Sequence, residues 1–127
     1  MTKECIHTEK APSAIGAYSQ AVKFKDVVYL SGQIPLDPEK MILISDDIDT
    51  QIKQVFINLS NVLDASDSSL DKILKLNVYL TNLEYFSKVN EHMEEIFEKP
   101  YPARAAIGIK ELPKGALIEI DAIATTK

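Results

Sequence analysis

The sequence has few of the residues that build disulfide frameworks and metal centres. Its 127 residues include one cysteine, Cys5, two histidines and no tryptophan. A single cysteine excludes an internal disulfide and a cysteine-rich metal site. The histidines, His7 and His92, are isolated in the sequence, and helical spacing predicts that His92 lies on a solvated face beside Glu91 and Glu94. Neither histidine is therefore a catalytic candidate.

Long apolar runs and an excess of positive charge are also absent. No segment approaches the ~18 apolar residues that a membrane-spanning helix needs, and residues 1–12 lack the apolar core of a signal peptide. The formal net charge of −5 gives no general attraction to nucleic acid phosphates. We therefore expect no membrane partner, an unfavourable interaction with nucleic acid, and a cytoplasmic location, with the mitochondrion left open for a eukaryotic host.

The sequence does contain enough apolar residues for one core. Hydrophobic residues make up 46% of the chain and charged residues 26%, a balance that argues against both a membrane protein and a disordered one. The length fits a single domain over residues 1–127, without repeats or linkers.

Hydrophobic periodicity predicts the element order β-β-α-β-α-β-β. Apolar residues three and four apart predict one helix from Asp47, capped by Asp46 or Asp47, and a second over residues 83–98. Two helices covering one face of a sheet make an α+β layer pair. Alternating apolar residues predict strands at residues 18–24, 27–33, 73–81, 103–110 and within 115–124.

The other face of this sheet has no helix to cover it. It is expected to carry apolar side chains that are unfavourable in water, among them Tyr29, Tyr79, Leu117 and Ile123. A second subunit is the natural cover for such a face.

Two carboxylates interrupt the last strand, GALIEIDAIA. Alternation puts Glu119 and Asp121 on the face opposite the apolar residues. If the last two strands form a hairpin closed by ELPKG, the register pairs Gly108 with Glu119 and Ala106 with Asp121 and puts Arg104 on the same face. The expected result is a shallow depression that carries one guanidinium and two carboxylates.

This cluster has two interpretations. Arg104 and Glu119 can form a structural ion pair, which is the commoner role of such residues. Alternatively, the small side chains beneath them leave room for a ligand, with the guanidinium binding a carboxylate and Glu119 acting as acid or base.

Several motifs in this sequence resemble one known family. PYPARAAIGIKELPKGALIEIDAIA is similar to the C-terminal signature of the RidA/YjgF family of reactive-intermediate imine deaminases. APSAIGAYSQAV, YLSGQIPLDP and FSKVNEHMEEIF resemble further blocks of that family in the same order. The resemblance covers nearly the whole chain.

The resemblance implies a chorismate-mutase-like α+β fold with two helices on one sheet face. It also implies a homotrimer with a barrel-like sheet interior and three clefts between subunits. The implied activity is hydrolysis of 2-iminoacids, such as 2-iminobutanoate and 2-iminopropanoate, to 2-ketoacids and ammonia, without a metal or organic cofactor. The alternative is a non-enzymatic ligand-binding, chaperone-like or regulatory protein on the same scaffold.

The family's functional residues can be placed on this sequence by motif. Arg104 of PAR would bind the substrate carboxylate, and Glu119 of IEI would activate water and protonate the leaving ammonia. Asn90 of KVNEHM would support the site. Asp121 is expected to be a structural or interface residue.

The remaining expected contacts line the cleft. Tyr18 of GAYSQ would come from a neighbouring subunit, and Ser31 with the backbone of Gly32, in SGQIP, would contact the ligand. Many bacterial members have a cysteine where this chain has Ala106. The backbone carbonyl of Ala106 can still accept a hydrogen bond from water, so activity is expected without a thiol.

Overall fold

The computed structural model describes residues 2–127, which form one mixed six-stranded sheet and two α-helices. The strand order across the sheet is β1-β2-β3-β6-β4-β5. The elements are β1 Glu4–Ile6, β2 Ala21–Phe24, β3 Val27–Gln33, α1 Ile48–Ala65, β4 Ile73–Leu80, α2 Phe86–Ile96, β5 Ala103–Gly108 and β6 Ile118–Thr125. No helix within residues 2–127 is both long and apolar enough to cross a bilayer.

The predicted elements are found with shifted ends and one addition. The side chain of Asp47 accepts a hydrogen bond from Thr50 N and caps α1, as the sequence predicts. The strand expected over residues 18–24 begins only at Ala21, and β1 was not predicted. A bulge between Ile73 and Lys75 leaves Leu74 exposed, although alternation alone places it on the buried face.

The predicted hairpin of the last two strands is wrong. Strand β5 pairs with β4 in parallel, and β6 lies on the other side of β4, antiparallel to it and to β3. The connection over residues 109–117 is too long for a tight hairpin turn. Helix α2 instead provides the crossover that two parallel neighbours require. The expected pairing of Gly108 with Glu119 and of Ala106 with Asp121 therefore does not exist.

Both helices pack on one face of the sheet, which we call the helix face. Alternate residues of β4 and β6 point into the core there and are at most 2% exposed. From β4 and β6 these residues are Leu76, Val78, Leu80, Ile118, Ile120, Ala122 and Ala124. The opposite surface, which we call the open face, has no helix over it, as the sequence predicts.

Two buried amides of α1 hold the loops around β6 and β3. Gln51 accepts a hydrogen bond from Leu117 N at 2.9 Å and donates one to Ser45 O at 2.8 Å. Asn58 donates to the carbonyls of Ile34 and Leu36 at 3.3 and 3.1 Å. Because such buried polar groups are costly when unpaired, these bonds fix the chain on either side of the sheet's central strands.

His92 is not on a solvated face. It is 8% exposed, and its Nε2 lies 2.8 Å from Asp49 Oδ1 at the start of α1. The sequence pattern missed this contact because α1 packs beside α2 and covers the polar edge of that helix.

The one-sided core gives a direct stability prediction. Leu59 is fully buried in α1, so Leu59→Ala should lower the free energy of unfolding by about 2–5 kcal/mol through lost burial and a residual cavity. Ile57, on the same helix, is 51% exposed, and Ile57→Ala should change it by less than about 1 kcal/mol. Urea unfolding at one protein concentration measures both, and equal losses would contradict the assignment of the core.

Candidate active site

The two predicted catalytic residues lie on opposite faces of the sheet. Arg104 pairs with Leu76 and therefore shares the helix face with it. Glu119 pairs with Tyr79, and Asp121 with Asn77, on the open face. The expected depression with Arg104, Glu119 and Asp121 on one face is therefore wrong for a single protomer.

Arg104 is held by α2. Its Nη1 donates to Asn90 Oδ1 at 2.6 Å and lies 3.4 Å from Met93 Sδ, while its Cζ is 4.7 Å from the ring centroid of Phe86. No carboxylate oxygen within residues 2–127 lies within 4.0 Å of the guanidinium. Among the described residues, the positive charge therefore has polar, sulfur and aromatic contacts but no counterion within 4.0 Å.

A cavity opens beside this guanidinium. Its volume is about 320 Å³, enough for a small organic acid. It is lined by Asn90, Met93, Glu94, Tyr101, Pro102 and Arg104.

Strand β5 is at the edge of the sheet, so half of its backbone groups have no strand partner. Ile109 N donates to Leu80 O on β4. Backbone groups of successive strand residues point to opposite edges, so the carbonyl of Ala106 points towards the free edge. This carbonyl is thus accessible from the edge of the sheet.

Glu119 lies directly over Gly32. A Cβ atom added to Gly32 would be 2.6 Å from Glu119 Oε2 and 2.8 Å from its carboxyl carbon, so only glycine leaves the carboxylate this position. The bulge in β3 between Leu30 and Gln33 brings Gly32 to this place. No hydrogen-bond donor to the Glu119 carboxylate is found within residues 2–127.

Asp121 has the partners that Glu119 lacks. Its Oδ1 accepts from Asn77 Nδ2 at 2.8 Å, and its Oδ2 accepts from the Tyr79 hydroxyl at 2.9 Å. The expectation of a structural role for Asp121 fits these two bonds within the protomer. They tie β6 to β4 on the open face.

The surroundings of Asp121 raise the pKa values of two neighbouring groups, Glu119 and Tyr79. Burial raises the pKa of Glu119 above its ordinary value of 4.5, and the negative charge of Asp121 raises it further. The hydrogen bond to Asp121 raises the pKa of the Tyr79 phenol above 10.0, with burial adding to the effect. A carboxyl of raised pKa is suited to exchange a proton near neutral pH.

Tyr18 lies in the segment that precedes β2, and Ser31 lies within β3. The hydroxyl of Tyr18 is exposed with its ring and accepts a hydrogen bond from Ile15 N at 3.3 Å. Ser31 donates its hydroxyl proton to Ser19 O at 2.6 Å. The structure thus gathers Gly32 with Glu119, and Asn90 with Arg104, as two half-sites on different faces.

The sequence interpretation missed the contacts of Phe86 and Met93 with Arg104. The order β4-α2-β5 is the signal that predicts them, because a strand-helix-strand crossover makes the two strands parallel and puts the helix over both. Within residues 2–127, no group of three or more His, Cys, Asp or Glu side chains is placed to hold a metal ion.

Comparison with known proteins gives consistent matches over the whole chain. The model of the family described as Endoribonuclease L-PSP matches residues 8–126. A RutC family protein of Pyrococcus abyssi is 45% identical over 98% of both chains. The 2-iminobutanoate/2-iminopropanoate deaminase of Homo sapiens is 40% identical over 98% of this chain and 90% of its own.

Solved structures agree with this fold. The crystal structure of RidA from an Antarctic Psychrobacter species superposes with a TM-score of 0.93 at 44% identity. The match covers 96% of this chain and 98% of the Psychrobacter chain. At 44% identity, this chain is similar to the Psychrobacter protein in sequence as well as in fold.

The pair of acids yields a prediction about pH. Asp121→Asn removes the negative charge beside Glu119, so the pKa of Glu119 should fall while burial keeps it above 4.5. Carbon-detected NMR titration of the Glu carboxyl groups measures the change, with the exposed Glu111 as an internal reference. An unchanged or higher Glu119 pKa in the variant would contradict the assignment.

The raised pKa of Glu119 also links the protonation of this carboxyl to the stability of the fold. The folded chain binds the Glu119 proton more tightly than the unfolded chain does, because the folded pKa is the higher one. This group therefore stabilises the fold at acidic pH, and the contribution is lost as the pH rises through the folded pKa.

Proposed function

This chain belongs to the Endoribonuclease L-PSP (RidA/YjgF) family, and from that premise we propose that it hydrolyses 2-iminoacids to 2-ketoacids and ammonia. The substrates are the imines of small aliphatic amino acids, such as 2-iminobutanoate and 2-iminopropanoate. The observation that carries the proposal is a pair of oppositely charged side chains, Arg104 and Glu119, each without a counterion within 4.0 Å among residues 2–127.

The site requires two protomers. Arg104 is reached from the free edge of β5, while Glu119 lies on the uncovered open face. Packing the edge of one protomer against the open face of the next brings the two charges together and covers exposed Tyr29. Repeated around a threefold axis, this contact closes a homotrimer with three equivalent clefts and a barrel-like interior of sheets.

Arg104 fixes the substrate. Its planar guanidinium binds the imino acid carboxylate through two parallel hydrogen bonds, which a lysine could not match. Asn90 holds the guanidinium in place through the 2.6 Å bond to Nη1. The substrate's carbon–nitrogen double bond then faces the neighbouring protomer.

Glu119 moves the protons. The iminium carbon is already electrophilic, so water can attack it once a base takes one water proton. Glu119 accepts that proton and returns it to the nitrogen. The C–N bond then breaks with release of ammonia while the Glu119 carboxylate accepts the proton of the hydroxyl group, whose oxygen becomes the ketone oxygen.

The remaining residues complete the cleft. The carbonyl of Ala106 accepts a hydrogen bond from the attacking water, since it points to the free edge of β5. Tyr18 contributes a wall from the neighbouring protomer, and Ser31 with the Gly32 backbone contacts the ligand beside Glu119.

A coupled assay tests this function. Threonine dehydratase supplies 2-iminobutanoate, and the purified protein should accelerate the appearance of 2-oxobutanoate. Arg104→Ala should reduce this acceleration by about a hundredfold or more, because carboxylate binding and orientation are both lost, while the oligomer stays intact in size-exclusion chromatography. No acceleration by the unchanged protein would refute the enzymatic function and favour a binding role.

Glu119→Gln serves as the matched variant of nearly equal size. It should abolish hydrolysis while 2-oxobutanoate still binds through Arg104. If Arg104→Ala instead dissociates the oligomer, Arg104 is an interface residue and not a substrate ligand.

A further inference from the structure

The guanidinium of Arg104 packs against one face of α2. Phe86, Asn90 and Met93 are spaced four and three residues apart, so their side chains project from the same side of the helix. Asn90 and Met93 both contact Nη1, at 2.6 and 3.4 Å. The Phe86 ring lies against the guanidinium carbon at 4.7 Å.

These contacts leave one edge of the guanidinium unused. Nη1 carries two hydrogens, and its two acceptors are both on α2. Within residues 2–127, no acceptor is found for Nε or Nη2. The parallel hydrogens of Nε and Nη2 match the spacing of two carboxylate oxygens.

We propose that Phe86 is a positioning residue that holds Arg104 so that its Nε–Nη2 edge binds the substrate carboxylate. This inference rests on the proposed function, because it assumes that Arg104 binds a carboxylate. Phe86 itself does not touch the substrate. Phe86 acts by holding the guanidinium of Arg104. The flat ring allows the guanidinium to rotate in its own plane, and the hydrogen bond to Asn90 fixes that rotation.

The chemistry of the ring explains why an aromatic side chain is needed. The face of a phenylalanine ring attracts a cation, and a partly desolvated pair is stronger than an exposed one. Leucine fills a similar space but has neither the flat face nor the quadrupole. With leucine beneath it, Arg104 would keep its charge and lose its fixed orientation.

Calorimetric titration with 2-oxobutanoate, the stable product of the proposed reaction, measures the effect. Phe86→Leu should raise the Kd about three- to tenfold, the range that the loss of one cation–π contact implies. Phe86→Tyr keeps the ring and should stay within about twofold of the unchanged protein. Equal binding by the leucine variant would overturn the proposal.

Phe24 offers a matched control. Its ring also lies near a cation, Lys25 Nζ, at 5.6 Å, but on β2 and away from Arg104. Phe24→Leu should leave the Kd for 2-oxobutanoate unchanged. If it weakens binding as much as Phe86→Leu does, the effect is general destabilisation and the positioning role is wrong.

An NMR experiment on the unsubstituted protein remains decisive even if Phe86→Leu does not fold. The Arg104 Nε–H signal, assigned by its loss in Arg104→Lys, should carry a ring-current shift without ligand. It should move downfield when 2-oxobutanoate is added, because Nε then donates to the carboxylate. A signal unaffected by saturating 2-oxobutanoate, or absence of 2-oxobutanoate binding, would refute the assignment of this edge.

Neither experiment measures turnover, so the two proposals fail separately. Binding through Nε and Nη2 without acceleration of imine hydrolysis would contradict the proposed function and leave the positioning role of Phe86 intact. Hydrolysis with normal kinetics in Phe86→Leu would contradict the positioning role of Phe86 and leave the proposed function intact.

Discussion

Strand β6 lies between β3 and β4, and this placement determines where every functional group of the protein can be. Hydrogen bonding on both sides buries the apolar half of β6 under α1 and turns Glu119 and Asp121 to the open face. The same arrangement pushes β5 to the far edge of the sheet, with Arg104 on the helix face. The sheet itself therefore separates the two charges within one chain, and the proposed site combines them through a second chain.

The two acids of β6, Glu119 and Asp121, differ because their neighbouring residues differ. Asp121 receives two hydrogen bonds, from Asn77 and Tyr79, and these bonds hold its side chain in place on the open face. Glu119 receives none from residues 2–127 and lies over Gly32, and its pKa is raised by burial and by the charge of Asp121. The charge of Asp121 thus raises the pKa of Glu119, the residue that the proposed mechanism uses to exchange protons.

Sequence periodicity predicted the faces of β6 correctly, but it did not predict the faces of every element or which strands are neighbours. The alternation in IEIDAIA correctly predicts that Ile118 and Ile120 are buried and that Glu119 is on the other face. It carries no information on which strand lies beside β6, because pairing between distant strands is a property of the whole sheet. The alternation in β5 and the assumption of a local hairpin together placed Arg104 on the wrong face. The family resemblance implied that Asn90 supports the site, but its contact with Arg104 was not predicted.

A site shared between protomers can be tested by mixing two inactive proteins. Arg104→Ala and Glu119→Gln chains, co-expressed in equal amounts, would assemble with random composition. About one site in four would then join an intact Arg104 from one protomer to an intact Glu119 from the next, so imine hydrolysis should recover to about a quarter of the wild-type rate. If mixed assemblies form, as native mass spectrometry would show, and remain as inactive as the separate variants, Arg104 and Glu119 do not act together across a subunit contact.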